Sequence, residues 1–311
     1  MLLIAALLFS GGASAQEKLK PVISGPWRVL FAPKISGDYV NDHTVFQDAE
    51  GKWRAVGITS PGQSLSGYDE RYFAHGVADS LDREMTEQPP LFKGWPDGRK
   101  KWAPHVVRDG SAYHLFAGPH AVRHFTSADG ITWKYEGLAI PDPWGNFRDT
   151  MVLKLDPGKW LLYATDQDDT VSVFESADLF AWQRVGTAFR AIRPAPIWGF
   201  LAISATESPF VVKRGDYYYL SVTLTNYAPK NYTNTIVVRS RDPYDFGVYA
   251  AGGKGETAEF VATLPAHCAE YIRDDRGEWF ITSGGWKGWP VPAGATPGAL
   301  SIAPLRWEPA E

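Results

Sequence analysis

Asp42, Asp149 and Glu207 each open a short β-prone run, and two similar runs open on Trp102 and His267. The runs occupy segments 42–53, 102–115, 149–160, 207–220 and 267–279. Aligned on one another, they put Asp42, Trp102, Asp149, Glu207 and His267 in equivalent places. As repeats of one unit, they would bring these side chains to a single pocket although they are far apart in sequence. Carboxylates that close cannot all ionise freely, so at least one must keep its proton to an unusually high pH. A protonated carboxyl beside an ionised one is what glycosidic bond cleavage needs. The acid serves the leaving oxygen, and the carboxylate acts as base or nucleophile on the other face. A third carboxylate can hold the acid protonated and bind a sugar hydroxyl. Aromatic walls stack on the apolar face of a sugar.

The elements that must position these residues are hairpins. Each run reads as strand, turn, strand, with Gly and a nearby Asp or Lys at the turn. A second pattern follows most runs: a strand leading into Ser/Ala-Asp and then an aromatic. It occupies 124–129 with Trp133, 174–178 with Trp182, 238–242 with Phe246, and more weakly 74–79. This adds a third strand, a turn and a fourth, outer strand. Four strands per unit and five units predict an all-β fold, a single five-bladed β-propeller with four-stranded antiparallel blades around a central channel. The first strand of each blade lines that channel, so the five openings meet at one end of it. Segment 27–31 resembles the outer strand at 182–185 and is expected to complete the fifth blade, closing the ring and removing exposed edges.

Composition agrees. The 311 residues include 13 Trp, 14 Tyr and 16 Phe with 30 Gly and 23 Pro, which suits short strands and tight turns rather than long helices. The formal charge is −4 with no long run of one sign, so no basic nucleic-acid footprint is present. One cysteine, Cys268, excludes an internal disulfide and a thiolate-rich metal site. Residues 1–9 are apolar, and small residues lead to an A-x-A ending at Ala15. Residues 1–15 therefore read as a secretory signal cleaved before Gln16, leaving a propeller over 16–311 that is secreted or periplasmic and not membrane-bound.

These units resemble the five-bladed propellers of glycoside hydrolase families 43 and 32 and their relatives, over nearly all of 16–311. Asn41-Asp42 resembles the Asn-Asp segment carrying the base or nucleophile. Arg148-Asp149 resembles the Arg-Asp pair of family 32, whose Asp stabilises the transition state. Segment 206–209 resembles the one carrying the general acid, and 102–104 is similar to the Trp-Ala-Pro opening of blade two in family 43. The resemblance thus implies Glu207 as general acid, Asp42 as base or nucleophile and Asp149 as orienting and tuning group, helped by Arg148. His43 stands where both families often have Pro, and His105 where family 43 often has an acidic residue. The two histidines are expected to meet sugar hydroxyls or line the pocket. Trp198, Trp144, Trp286 and Trp289 are candidate rim residues. His267 sits where family 43 members often place a His near a channel-bound metal ion or water. The chemistry requires no cofactor; a channel ion held by His267 and waters, calcium or sodium, would be structural or electrostatic.

The implied substrate is an oligo- or polysaccharide ending in a furanoside or similar small sugar, such as arabinofuranose, fructofuranose or xylose. Two other readings remain open. A non-catalytic carbohydrate-binding propeller would bind glycosides without releasing sugar. A phosphorolytic enzyme on the same fold would hold phosphate with Arg148, His43 and His105.

Overall fold

The computed structural model describes residues 17–61, 69–141, 147–166, 169–192, 206–224 and 234–310. The expected signal segment and the expected rim residues Trp144 and Trp198 lie outside the described residues. Five antiparallel sheets form a ring, one per repeat. Blade one is His43–Gln47, Trp53–Ile58, Phe73–Ala78 and Thr86–Leu91. Blade two is Trp102–Asp109, Ala112–Gly118, Val122–Ser127 and Lys134–Ile140. Blade three is Arg148–Asp156, Lys159–Thr165, Thr170–Ser176 and Gln183–Ala191; Val248–Tyr249 adds a parallel fifth strand at its edge. Blade four is Thr206–Arg214, Tyr217–Leu224, Thr235–Ser240 and Glu259–Leu264. No helix occurs among the described residues, so none there is long and apolar enough to cross a membrane.

Blade five closes the ring. Its strands Tyr271–Arg273, Trp279–Ser283 and Leu300–Pro309 come from the end of the chain, and its outer edge comes from the beginning. That edge is shared rather than supplied by 27–31 alone. Leu19–Ile23 pairs with residues 305–309, and Arg28–Phe31 pairs with residues 300–302 of the same strand. Pro304 lies between the two pairings. A Cβ on Gly25 would stand only 3.0 Å from its ring, so the first strand breaks where it passes this proline.

The aromatic richness has a packing cause. Wedge-shaped gaps between neighbouring blades hold five separate apolar clusters. Side chains alternate between the two faces of a strand. In Lys159–Thr165, Leu161 and Tyr163 therefore fill the wedge toward blade four, while Trp160 and Leu162 fill the wedge toward blade two. Large rings suit gaps that widen outward. The repeated Ser-Ala-Asp pattern is a turn device: Asp129 Oδ1 accepts the N–H of Ile131 and Thr132, and Asp178 Oδ1 accepts that of Phe180 and Ala181.

One glycine bears on the channel directly. A Cβ on Gly57 would stand 2.6 Å from Val40 Cγ1 and 2.9 Å from His43 Cβ, immediately behind Asp42. Gly57→Ala should lower the free energy of unfolding by about 1–3 kcal/mol, read from denaturant melts; an unchanged midpoint would show that blade one yields at this point.

Candidate active site

The inner strands carry an extra residue where they enter the channel. Arg148 pairs with Thr165, yet the next pair is Met151 with Tyr163. Glu207 pairs with Thr223 before Phe210 pairs with Ser221, and Trp102 pairs with Gly118 before His105 pairs with Phe116. Blade five repeats the step: Gly284 N–H donates to His267 O, and Thr282 N–H to Glu270 O. The residue after each first position has a left-handed backbone: Ala103 (φ 44°), Asp149 (55°), Ser208 (52°) and Cys268 (45°).

This bulge decides what the channel sees. In a regular strand, neighbouring side chains point to opposite faces; a bulge re-aims one of them. Arg148 and Asp149 therefore serve the same pocket, as do Glu207 and Ser208. The register also corrects the sequence alignment. Trp102, Arg148, Glu207 and His267 are equivalent, whereas Asp149 belongs one position on, with Ala103, Ser208 and Cys268. Blade one also sets two residues against one, Asn41 N–H donating to Ile58 O at 3.0 Å and Ile58 N–H to Asp42 O at 2.9 Å, but without a left-handed residue.

Asp42, Asp149 and Glu207 are brought together, and all three are buried. The Ser208 hydroxyl donates to Asp42 Oδ1, and Asn41 Nδ2 donates to Asp42 Oδ2 at 3.0 Å. The Ser208 N–H donates to Asp149 Oδ2 at 3.1 Å. Arg148 stands between the other two carboxyls, its Nε 3.8 Å from Asp149 Oδ2 and its Nη2 3.7 Å from Glu207 Oε1. Its Nη1 and Nη2 are buried and make no hydrogen bond among the described residues. A buried guanidinium with unused donors is ready to receive oxygen atoms.

Burial pushes the Asp42 carboxyl well above the ordinary range; the charges of Asp149 and Glu207 push the same way, against the Ser208 hydrogen bond. Burial also raises Asp149, opposed by the Arg148 charge and the Ser208 amide. Asp42 and Asp149 are thus the carboxyls whose pKa the site raises.

The histidines divide by role. His43 lines the cavity but turns both ring nitrogens into protein: Nδ1 is 3.1 Å from Asn41 O and Nε2 2.7 Å from Thr282 Oγ1. Burial lowers its pKa, so it stays neutral. His105 lines the cavity with Nδ1 3.4 Å from Glu270 Oε1. His267 is buried, with Nδ1 3.3 Å from Gly284 O, its ring stacked on Trp286 at 5.7 Å, and its pKa lowered to about 3 by burial. Trp286 meets Trp289 at 5.2 Å, and Gly285 N–H bonds Val40 O, which holds this aromatic pair beside blade one. Trp102 packs, half-buried, into the wedge between blades one and two.

Ser208 and Glu270, which line the cavity and bond across blades, are not among the site residues expected from the sequence. Ser208 follows the proposed acid and gave no signal without the bulge. Glu270 lies three residues after His267, the offset of His105 from Trp102, and extending the alignment would have found it. Its Oε2 accepts the Val45 N–H at 3.1 Å, tying blade five to blade one.

Asp42, His267 and Cys268 are the one group among the described residues whose ligand atoms, all within 4.8 Å of one another, could hold a metal ion. One carboxylate, one imidazole and one thiol, the last pushed well up by burial, do not fit the oxygen shell of calcium or sodium.

No family model matches the chain, and no curated protein matches its sequence. Solved structures do match. An arabinanase of Bacillus subtilis, Arb43A, aligns with a TM-score of 0.63 and 17% identity over 87% of this chain and 96% of its own. A GH43 endo-arabinanase from Bacillus licheniformis gives 0.61 and 14% over 89% and 97%. A GH43_1 enzyme from Xanthomonas citri complexed with xylose gives 0.59 and 15% over 91% and 90%. At these identities the likeness is one of architecture: this chain has the five-bladed β-propeller fold of family-43 glycoside hydrolases.

Proposed function

We propose that this protein is a glycoside hydrolase that removes a terminal arabinofuranose- or xylose-type sugar from an oligo- or polysaccharide, acting outside the cytoplasm. The observation that carries the reading is the meeting of Asp42, Asp149 and Glu207, from three different blades, at one end of the channel. Glu207 protonates the leaving oxygen. Asp42, a stronger base than an ordinary aspartate because of its burial, activates water or attacks the anomeric carbon. Asp149 holds charge next to Arg148, whose unused donors take sugar hydroxyls. Trp286 and Trp289, tilted 47° to one another beside His267, offer aromatic surface to a further sugar ring. Phosphorolysis is disfavoured because Asp149 and Glu207 already stand against Arg148, so an anionic co-substrate would be repelled.

The test is a panel of 4-nitrophenyl α-L-arabinofuranoside, β-D-xyloside and β-D-fructofuranoside with arabino- and xylo-oligosaccharides, in phosphate-free buffer. Sugar release from at least one is expected, and the anomer seen first by proton NMR assigns inversion or retention. Binding without release throughout would favour a carbohydrate-binding propeller, and a rate that needs phosphate would favour phosphorolysis.

A further inference from the structure

The residue after the proposed acid makes more contacts with the carboxyl cluster than its size suggests. Ser208 reaches both neighbouring aspartates at once, through different groups. Its hydroxyl donates to Asp42 on blade one and its backbone N–H to Asp149 on blade three, while its own chain carries Glu207 on blade four. Its φ of 52° makes this possible, because the bulge turns Glu207 and Ser208 into the same channel. A serine in the left-handed region is uncommon and carries strain. Glycine would take that backbone freely, yet would lose the hydroxyl. The equivalent positions, Ala103 and Cys268, hold no hydroxyl. Among the described residues, no other side chain bonds Asp42 from another blade.

The geometry points to Ser208 as the positioning residue of this site, the tie that fixes Asp42 and Asp149 relative to Glu207. Acid and base act on opposite faces of one sugar ring, so their spacing must hold within a fraction of an ångström. A tie covalently next to the acid and hydrogen-bonded to the base controls that spacing directly. Asn41 fixes the second Asp42 oxygen from the adjacent position in the chain, which leaves Ser208 as the contact that registers blade one against blade four. The catalytic part of this inference rests on the hydrolase reading; the tie itself does not.

The test uses Ser208→Gly and Ser208→Ala in the full chain. Both lack the hydroxyl and keep the N–H, but Gly relaxes the backbone and Ala does not. Both should lose kcat on the best substrate of the panel by on the order of 10²-fold with KM little changed. Equal losses in the two variants mark the hydroxyl as the cause. A Gly variant with kcat within about twofold of wild type, or a loss confined to KM, overturns the catalytic role. Independently of activity, thermal melts of Ser208→Gly, Asp42→Ala and the double variant should depart from additivity by at least about 1 °C. Additive shifts overturn the tie. A wild-type chain that releases no sugar sinks the hydrolase reading, and the tie is then decided by the melts alone.

Discussion

Glu207→Gln is expected to cut kcat/KM on an arabino- or xylo-oligosaccharide by about 10²–10⁴-fold, the usual worth of a general acid. On a dinitrophenyl glycoside carrying the same sugar, the loss should stay under about tenfold. The difference follows from the leaving group. A sugar alkoxide is a strong base and cannot depart without a proton, whereas a dinitrophenolate needs none. Glutamine keeps the size and the oxygen facing Arg148 Nη2, so the pocket should stay in place. Two rival roles give other patterns. A structural partner of Arg148 would lose both substrates equally, and a base or nucleophile would lose the activated glycoside as much as the natural one. Initial rates on a leaving-group series distinguish these cases. Equal loss across the series would move the acid assignment away from Glu207.

The architecture was legible because repetition is visible in sequence. Five hairpins with the same turn chemistry have one compact arrangement, and the wedge cores explain why their middle strands are aromatic and continuous rather than alternating. The convergence of Asp42, Asp149 and Glu207 was legible for the same reason. What could not be read was register to the single residue. Two acidic residues one position apart in their blades look alike in sequence, and only the pairing register shows that Glu207 is equivalent to Arg148 and Asp149 to Ser208. Ser208 was invisible on the same account, since a regular strand would have pointed it away from the acid. His43 stood in the right place, but its bond to Thr282, 239 residues away, depends on how blade five meets blade one. Trp102 was expected to face sugar and instead fills the wedge, because the position equivalent to an acid in one blade is a packing position in another.

Asp42→Asn should abolish turnover, by at least about 10²–10⁴-fold, and at the same time stabilise the fold. The two effects share one cause. Asp42 is buried, and burial together with the Asp149 charge raises its pKa well above that of the unfolded chain. The folded state therefore binds this proton more tightly than the unfolded state does. Below the unfolded value, near 3.9, the carboxyl is neutral in both states and costs nothing. As the pH rises above it, the unfolded chain ionises first and stability falls, reaching its full penalty above the folded pKa. Asparagine removes the charge and with it the penalty. Its carbonyl can still accept the Ser208 hydroxyl, and a flip of Asn41 would offer Oδ1, now without a partner, to the new amide. The variant should melt roughly 1–4 °C higher than wild type at pH 7, and the gain should shrink toward zero as the pH approaches 4. A gain that persists at acid pH would trace to packing rather than charge. A variant that melts lower at pH 7 would mean that the ionised carboxylate is held by its partners more strongly than burial penalises it, which would reverse the sign assigned to this buried acid.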